Sequence, residues 1–321
     1  MDNGQWTVDR EKRDRQVQDL LAKGNRSPFF EDLVDRVTGV CLSCGFERGQ
    51  IVPTLEQLWL PIALKLATAQ KTLNRTYIQG ILGGQGTGKT TLCQILSAIL
   101  ETWGLKVASL SIDDLYLTYA ARQTLQQQDP RLIWRGPPGT HDFDLGLAVI
   151  NACLQNEATT EILLPRFDKS IHNGAGDRTT PQAIAKPDIL LFEGWFVGVR
   201  PVAATSFDTP LEYLNTPEAI QFAQDTNQRL QNYLPLWEKL DSLIVLCPED
   251  YRLSKQWRKQ AEQQMIALGK TGMSDAEIDR FVEYFWQALH PELFITPLIQ
   301  TADLVIKIKS DRVCELIINN S

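Results

Sequence analysis

The chain has 321 residues, of which 43% are hydrophobic and 22% charged, a composition typical of a globular protein with a substantial core. Its formal net charge of −7 argues against a surface for nucleic-acid backbones, and no basic run suggests a nucleic-acid-binding arm. The N-terminal residues lack the apolar core of a signal peptide, and no apolar run reaches membrane-spanning length. We therefore expect a cytoplasmic protein that binds neither nucleic acid nor membrane.

The first part of the chain, residues 1–75, has the pattern of helices and contains no strand candidate. From residue 8 onward, apolar residues recur at three- and four-residue steps. Gly24 is a typical helix stop, and Ser27 before a proline is a typical helix start. We therefore expect an N-terminal helical layer packed on a main domain of residues 76–321.

The chain contains six cysteines, and two of them, Cys41 and Cys44, form a C-x-x-C pair. A single pair, without a second pair or nearby histidines, is a weak signal for zinc. We interpret it as chance spacing or local packing, with a redox switch as the alternative, and we expect free thiols in the chain.

From residue 76 onward, short apolar runs rich in β-branched residues alternate with helical patterns. The candidate strands are TYIQGILG (76–83), LKVASLSI (105–112), EILLPRF (161–167), DILLFEG (188–194), SLIVLC (242–247) and ADLVIKIK (302–309). Runs that are apolar on both faces are typical of buried parallel strands. Their alternation with helices predicts an α/β fold with a doubly wound, mainly parallel sheet and helices on both faces. In such sheets ligands bind at the carboxyl ends of the strands.

The segment GGQGTGKTT (83–91) matches the phosphate-binding pattern G-x-x-x-x-G-K-[ST] in full. We call residues 83–90 the phosphate loop. The expected phosphate ligands are Gly83, Gly84, Gln85, Gly86, Thr87, Gly88, Lys89, Thr90 and Thr91. Lys89 supplies a charge for the β and γ phosphates, and the Thr90 hydroxyl is a magnesium ligand. Because a strand precedes the loop and a helix follows it, chance is a poor explanation, and the sequence predicts binding of a nucleoside triphosphate, most simply ATP with Mg²⁺.

Acidic residues lie where two of the predicted strands end, in SLSIDDLY (109–116) and LLFEGW (190–195). Glu193 fits the role of a magnesium ligand. Asp113 fits the role of the base that accepts the proton of an acceptor hydroxyl. Spacing alone leaves open whether Asp113 or Asp114 faces the site, since adjacent strand residues point to opposite faces. A lone acid after a strand is more typical of a turn or helix cap, but two such acids beside a phosphate loop favour function.

Two turn-rich segments carry cations, WRGPPGTHD (134–142) and LPRFDKSIHNGAGDR (164–178), which we call the first and second cationic loops. Their cations are Arg135, His141, Arg166, Lys169, His172 and Arg178. Such groups suit a small anionic acceptor, although each could instead pair locally with a loop aspartate. The candidate substrate ligands are Arg135, His141, Arg166, Lys169 and Asp114, whereas His172 is more typical of a structural residue.

Taken together, GGQGTGKTT, LSIDDLYLT, RGPPGTHD, PRFDKSIHNGAGDR and FEGWFVGVRP resemble the plant-type D-glycerate 3-kinase family, which also occurs in cyanobacteria. That family belongs to the P-loop kinase group of phosphoribulokinase, uridine kinase and pantothenate kinase. The resemblance, from about residue 50 to the C-terminus, implies transfer of the ATP γ-phosphate to the 3-hydroxyl of D-glycerate. It also implies that Asp113 stands at the position of the proposed base and Glu193 at that of the metal-serving acid. Phe167 departs from the family, which often has tyrosine there, so no hydroxyl is available.

A basic helix follows the strand SLIVLC, where related kinases carry a lid over the triphosphate, and we place the lid at about 249–290. Arg252, Lys255 and Lys259 share one helix face, with Arg258 close by. We predict that Arg258 stabilises the transferring phosphate and that Arg252 and Lys255 bind the nucleotide. The alternative is a solvated helix face paired with nearby acids.

Two other functions remain open from the sequence. One is a P-loop kinase of another small acceptor, such as pantothenate or uridine, although the cationic loops favour a small acid. The other is a non-catalytic ATP-dependent switch, which would leave the two cationic loops and Asp113 without a purpose. The oligomeric state is not predicted.

Overall fold

A mainly parallel sheet organises the chain, as seen in a computed structural model that describes residues 14–73, 75–155, 161–267 and 272–318. In chain order the strands are β1 (Tyr77–Gly83), β2 (Val107–Ser111), β3 (Ile162–Asp168), β4 (Asp177–Ile184), β5 (Ile189–Gly194), β6 (Ser242–Pro248), β7 (Leu304–Ile308) and β8 (Cys314–Ile318). Six of them form one sheet in the order β2-β5-β1-β6-β7-β8, and within it β8 runs antiparallel to its neighbour. The phosphate loop follows β1, which lies between β5 and β6 in the sheet.

Helices cover both faces of this sheet, so the predicted doubly wound α/β fold is confirmed. In chain order they are α1 (14–23), α2 (Pro28–Ser43), α3 (Arg48–Thr54), α4 (Leu60–Leu73), α5 (Lys89–Thr102), α6 (Tyr119–Gln128), α7 (Phe143–Leu154), α8 (Pro217–Arg229), α9 (Leu234–Trp237), α10 (Leu253–Ala267), α11 (Asp275–Ala288), α12 (Pro291–Phe294) and α13 (Thr296–Thr301). In the part of the chain that the structure describes, none of these helices combines the length and apolarity needed to cross a bilayer.

The N-terminal helices form the predicted layer on one face of the sheet. Gly24, with φ of 56°, ends α1, and the Ser27 hydroxyl accepts a hydrogen bond from the Phe29 N–H to cap α2. Leu33 of α2 and Ile62 of α4 are buried in one core with residues of α5 and β1. The predicted helical residues 8–13 and 74 lie outside the described residues.

The central strand contributes to two cores, because successive side chains of a strand point to opposite faces. Ile81 lies in the core shared with the N-terminal layer and α5. Ile78 and Leu82 lie in a second core with Ile150 of α7 and Phe192 of β5. This burial on both faces accounts for the continuous apolar pattern of β1.

The prediction that EILLPRF belongs to the main sheet is wrong. This segment is β3, which pairs antiparallel with β4 in a separate two-stranded hairpin. Leu163 is 56% exposed, so one face of the strand is open, and the pairing shifts register between Leu164 and Arg166. β4, the partner of β3, was not predicted, because its sequence is polar and a strand in a hairpin outside the core needs no apolar run.

The thiols of Cys41 and Cys44 are free. Burial raises the pKa of the Cys41 thiol to about 11, aided by the neighbouring Cys44. Among the described residues, no group of three or more histidine, cysteine, aspartate or glutamate side chains is arranged to hold a metal ion. A buried thiol with a raised pKa is a poor nucleophile, so the structure favours a packing role for Cys41.

Candidate active site

The phosphate loop joins the end of β1 to the start of α5. Gly86 and Gly88 have φ values of 75° and 87°, in the left-handed region that favours glycine. A β-carbon on Gly83 would lie 2.5 Å from the Thr87 hydroxyl oxygen, and that hydroxyl donates to the Gly84 carbonyl at 2.8 Å. The loop therefore closes tightly in front of the N-terminus of a 14-residue helix, whose first N–H groups are available to an anion.

Lys89, Thr90 and Glu193 lie together at this helix start. The Lys89 ammonium donates to the Gly84 carbonyl at 3.1 Å, and the Thr90 hydroxyl donates to Glu193 Oε1 at 3.1 Å. Glu193 is 8% exposed, and it reaches the loop because β5 pairs directly with β1. Burial lowers the pKa of Lys89, against the opposing effect of Glu193 and Asp113. An anion at the loop would favour the charged form of this lysine and so oppose the effect of burial.

The oxygen atoms of Thr90 and Glu193 fit a hard cation such as Mg²⁺. Magnesium sites in proteins use one or two side-chain oxygens, with water and substrate phosphate completing the shell. A hydroxyl and a carboxylate 3.1 Å apart at the phosphate loop meet that requirement. The assignment of both residues to the metal stays a prediction.

The structure separates the two adjacent aspartates. They follow β2, as predicted, and lie in a 3-10 turn (Ile112–Leu115), so the alternation of strand side chains does not decide which of them faces the site. Asp113 accepts hydrogen bonds from the Lys169 ammonium at 2.6 Å and the Tyr116 hydroxyl at 2.8 Å. Asp114 instead accepts from the Ser111 N–H at 3.1 Å and caps the turn. Asp113 lies near enough to Lys89 of the phosphate loop to raise the pKa of that lysine.

The charge state of Asp113 suits a base. Burial raises the pKa of this carboxyl, but the Lys169 ammonium and the hydrogen bonds from Lys169 and Tyr116 outweigh it. The net effect is a pKa below the ordinary value. Asp113 is therefore ionised at neutral pH and can accept a proton. Tyr116 was not among the predicted site residues, although it is the last residue of the segment SLSIDDLY (109–116).

Asp114 and Arg166 were predicted as substrate ligands, but the structure joins them to each other. Arg166 Nη1 donates to Asp114 Oδ2 at 2.9 Å, and Nη2 donates to the Ser109 carbonyl at 3.2 Å and to Gln182 Oε1 at 2.7 Å. Arg166 thereby attaches the β3–β4 hairpin to the edge strand β2. For these two residues the geometry favours the local-pairing alternative.

The two cationic loops meet beside Asp113. Arg135 Nη1 in the first loop donates to the carbonyls of Gly174 and Ala175 in the second, at 2.6 and 3.0 Å. Its guanidinium also lies 5.9 Å from the centre of the Tyr116 ring and 5.6 Å from that of the Phe167 ring. These two carbonyls carry no net charge, so they do not neutralise the guanidinium of Arg135.

Other cations of these loops serve local structure. Arg178 Nη2 donates to Asp142 Oδ2 at 2.8 Å, and His172 lies 3.2 Å from Asp177. Arg122 of α6, which was not predicted, donates to the Ala175 carbonyl at 2.8 Å and so also supports the second loop. Lys169 differs from them, since its side chain is 60% exposed and pairs with Asp113.

His141 is buried and neutral, which corrects its description as a cation. The residue is 2% exposed, and burial lowers its pKa to about 3 despite the nearby Asp113. The Gly139 N–H donates to the Tyr233 hydroxyl, and that hydroxyl also forms a hydrogen bond with His141 Nδ1, 3.1 Å away. The ring stacks on Tyr116 with centroids 4.6 Å apart, and therefore positions the residue that holds Asp113.

The substitution His141→Gln should make the free energy of unfolding less dependent on pH below pH 7. An unfolded histidine gains a proton near pH 6.5, whereas folded His141 does so near pH 3, so its contribution falls as pH drops between these values. At about 1.4 kcal/mol per pH unit, the free energy of unfolding of the wild type should fall by about 2 kcal/mol more than that of the variant between pH 7 and pH 5. Urea titrations at both pH values measure this, and parallel losses would contradict a buried neutral His141.

The predicted lid residues divide into two groups. Arg252 pairs with Glu212 and Asp250, while Lys255 pairs with Glu283 at 2.5 Å. These ion pairs favour the alternative of a salt-bridged helix face for both. Arg258 instead lies next to the phosphate loop, because its backbone nitrogen would be 3.9 Å from a β-carbon on Gly86.

The guanidinium of Arg258 has a hydrogen-bond donor without a protein partner. Its Nη2 pairs with Glu262 at 2.8 Å, and its buried Nε has no protein partner. The predicted lid spans α10 and α11, with residues 268–271 outside the described residues. Its identity as a lid, and the role of Arg258, stay predictions.

Comparison with known proteins identifies the family of this chain. No family model matches the chain. The solved structure of D-glycerate 3-kinase from Cryptococcus neoformans var. grubii superposes with a TM-score of 0.69 at 26% identity, covering 80% of this chain and 96% of that one. The uncharacterized kinase mug58 of Schizosaccharomyces pombe is 32% identical over 223 residues, covering 67% of this chain and 80% of the relative. The chloroplastic D-glycerate 3-kinase of Arabidopsis thaliana is 32% identical over 230 residues.

The chain belongs to the D-glycerate 3-kinase family of P-loop kinases. The family resemblance inferred from the motifs is thereby confirmed. The matched region covers 67% of this chain and 48% of the Arabidopsis protein, so the chain spans about half the length of that relative. Membership of the family accounts for the phosphate loop, the acid after β2 and the cationic loops occurring together.

Proposed function

We propose that the chain transfers the γ-phosphate of ATP to the 3-hydroxyl of D-glycerate, forming 3-phosphoglycerate and ADP. The observation that carries the proposal is the position of Asp113, an ionised carboxylate that bonds to Lys169 and lies near enough to Lys89 to raise the pKa of that lysine. A nucleotide-dependent switch has no use for this arrangement, whereas a kinase of a small organic acid needs both its base and its cation.

In the proposed reaction, the acceptor hydroxyl oxygen forms a bond to the γ-phosphorus while the bond to the β–γ bridging oxygen breaks. The hydroxyl proton passes to Asp113, and ADP leaves with the electron pair of the broken bond. Lys89 and the N–H groups at the start of α5 neutralise the phosphate charge. Mg²⁺, held by Thr90 and Glu193, would supply further positive charge at the phosphates when bound.

The acceptor carboxylate would lie between the two cationic loops. Two cations lie near this region. Lys169 bonds to Asp113, and the guanidinium of Arg135 lies against the Tyr116 ring. An ammonium that contacts Asp113 can also contact a carboxylate two carbon atoms away from the reacting hydroxyl. Most of the rate in such a transfer comes from this positioning and from charge neutralisation.

A panel of acceptors tests the proposal. The purified chain is supplied with ATP, Mg²⁺ and one of D-glycerate, uridine, pantothenate or ribulose 5-phosphate, and ADP release is followed. We expect release to depend strongly on D-glycerate. A preference for another acceptor would assign the chain a different substrate, and release independent of every acceptor would contradict the proposed kinase activity.

A further inference from the structure

Arg312 lies in the turn between β7 and β8, far in sequence from every predicted site residue. Its φ of 66° is unusual for a residue with a side chain, and the turn holds it there. The Arg312 N–H donates to the Lys309 carbonyl at 2.9 Å, and the Lys309 N–H donates to the Val313 carbonyl at 2.9 Å. The Ser310 N–H donates to Glu249 Oε1 at 2.7 Å, which ties the turn to the end of β6. The backbone at Arg312 is therefore fixed.

The side chain of Arg312 reaches the phosphate loop. Its Nη1 donates to the Gly86 carbonyl at 3.3 Å, and Nη2 donates to Gln260 Oε1 at 3.3 Å. The guanidinium carbon lies 5.0 Å from the centre of the Trp257 ring, which is itself buried with 1% exposure. None of these three partners carries a negative charge. An exposed arginine with its charge unneutralised thus sits at the edge of the nucleotide site.

The strand order indicates which part of a nucleotide would come here. Asp113 follows β2 and Glu193 ends β5, and both strands lie on one side of β1. The transferring γ-phosphate must meet its acceptor on that side. The nucleoside end then extends to the other side of β1, above β6 and β7. Arg312 and Trp257 lie on this second side, next to Gly86.

We propose that Arg312 binds the base of the nucleotide, with its guanidinium between the Trp257 ring and the purine. A planar guanidinium stacks well on aromatic faces, and a cation over a ring is stabilised most when it is shielded from water. Trp257 covers one side of the guanidinium, and the purine would cover the other. The proposal rests on the proposed use of ATP, and adds the residue that recognises its base.

Binding measurements separate this role from a purely structural one. Calorimetric titrations of the full chain use MgATP in one series and magnesium tripolyphosphate, which has no base, in the other. Arg312→Ala should weaken MgATP binding roughly tenfold and leave tripolyphosphate binding unchanged, because only the former offers a ring to stack on. Lys309→Ala removes a cation from the same turn and should change neither, which makes it the matched control.

Arg312→Lys provides a second test that keeps the charge. It should also weaken MgATP binding, because an ammonium lacks the flat face of a guanidinium. Equal weakening of both ligands in Arg312→Ala would assign the arginine to the phosphates, and no weakening would leave it as a link between the turn and α10; either result overturns the proposal. Failure of the wild type to bind MgATP would instead contradict the proposed function itself.

Discussion

The substitution Lys89→Ala should reduce phosphoryl transfer to D-glycerate by roughly three orders of magnitude or more, the largest loss that we expect from a single change. Lys89 is the charge that the phosphate loop offers to the β and γ phosphates, and its effect is greatest where charge develops in the transition state. ADP release at saturating ATP and D-glycerate measures the loss. Near-normal activity would remove the argument that residues 83–90 bind the nucleotide.

Stability measurements distinguish this loss from misfolding. Burial lowers the pKa of Lys89, which means that the folded chain disfavours its charge. Its removal should therefore leave the thermal midpoint unchanged or higher. Lys71→Ala is a suitable control, because Lys71 is a half-exposed lysine of α4 paired with Asp14, and its loss should alter neither activity nor ATP binding.

The substitution Asp113→Asn should lower kcat by roughly two to four orders of magnitude while the affinity for ATP is retained. The amide of asparagine can still accept a hydrogen bond from Tyr116, but it cannot take the proton of the acceptor hydroxyl. Single-turnover rates and equilibrium ATP binding, measured on the same preparation, separate the two effects.

Asp114→Asn is the matched control for this prediction. It removes one charge from the adjacent residue, where the carboxylate pairs with Arg166 and caps the turn. Burial raises the pKa of Asp114, so removal of its charge should offset the weaker pairing with Arg166. We expect a small change in the free energy of unfolding and a small effect on transfer. If transfer fails in Asp114→Asn and survives in Asp113→Asn, the assignment of the base is wrong.

Much of the fold could be predicted because the local patterns agree with the global architecture. Five main-sheet strands were predicted; two of them, β1 and β5, are buried along their whole length. Ser27 and Gly24 mark helix ends through local backbone chemistry. The hairpin of β3 and β4 could not be placed in this way. An apolar run shows that a strand forms, but the choice of partner depends on which edge is free in three dimensions.

The candidate site was predictable in proportion to how local its geometry is. The phosphate loop is one continuous segment, so its sequence motif is enough to predict its geometry. The choice between Asp113 and Asp114 needed the 3-10 turn, and the neutral state of His141 needed knowledge of its burial. Arg312 could not be found from sequence, because it is 226 residues from Gly86 and lies in no motif.

A crystal structure of the chain with Mg²⁺, a non-hydrolysable ATP analogue and D-glycerate tests the central claim most directly. We predict that the 3-hydroxyl oxygen lies about 2.6–3.2 Å from the Asp113 carboxylate and faces the γ-phosphorus, with the glycerate carboxylate near Lys169 and Arg135. A structure in which glycerate binds with that hydroxyl away from Asp113, or outside the space between the two cationic loops, would contradict the account.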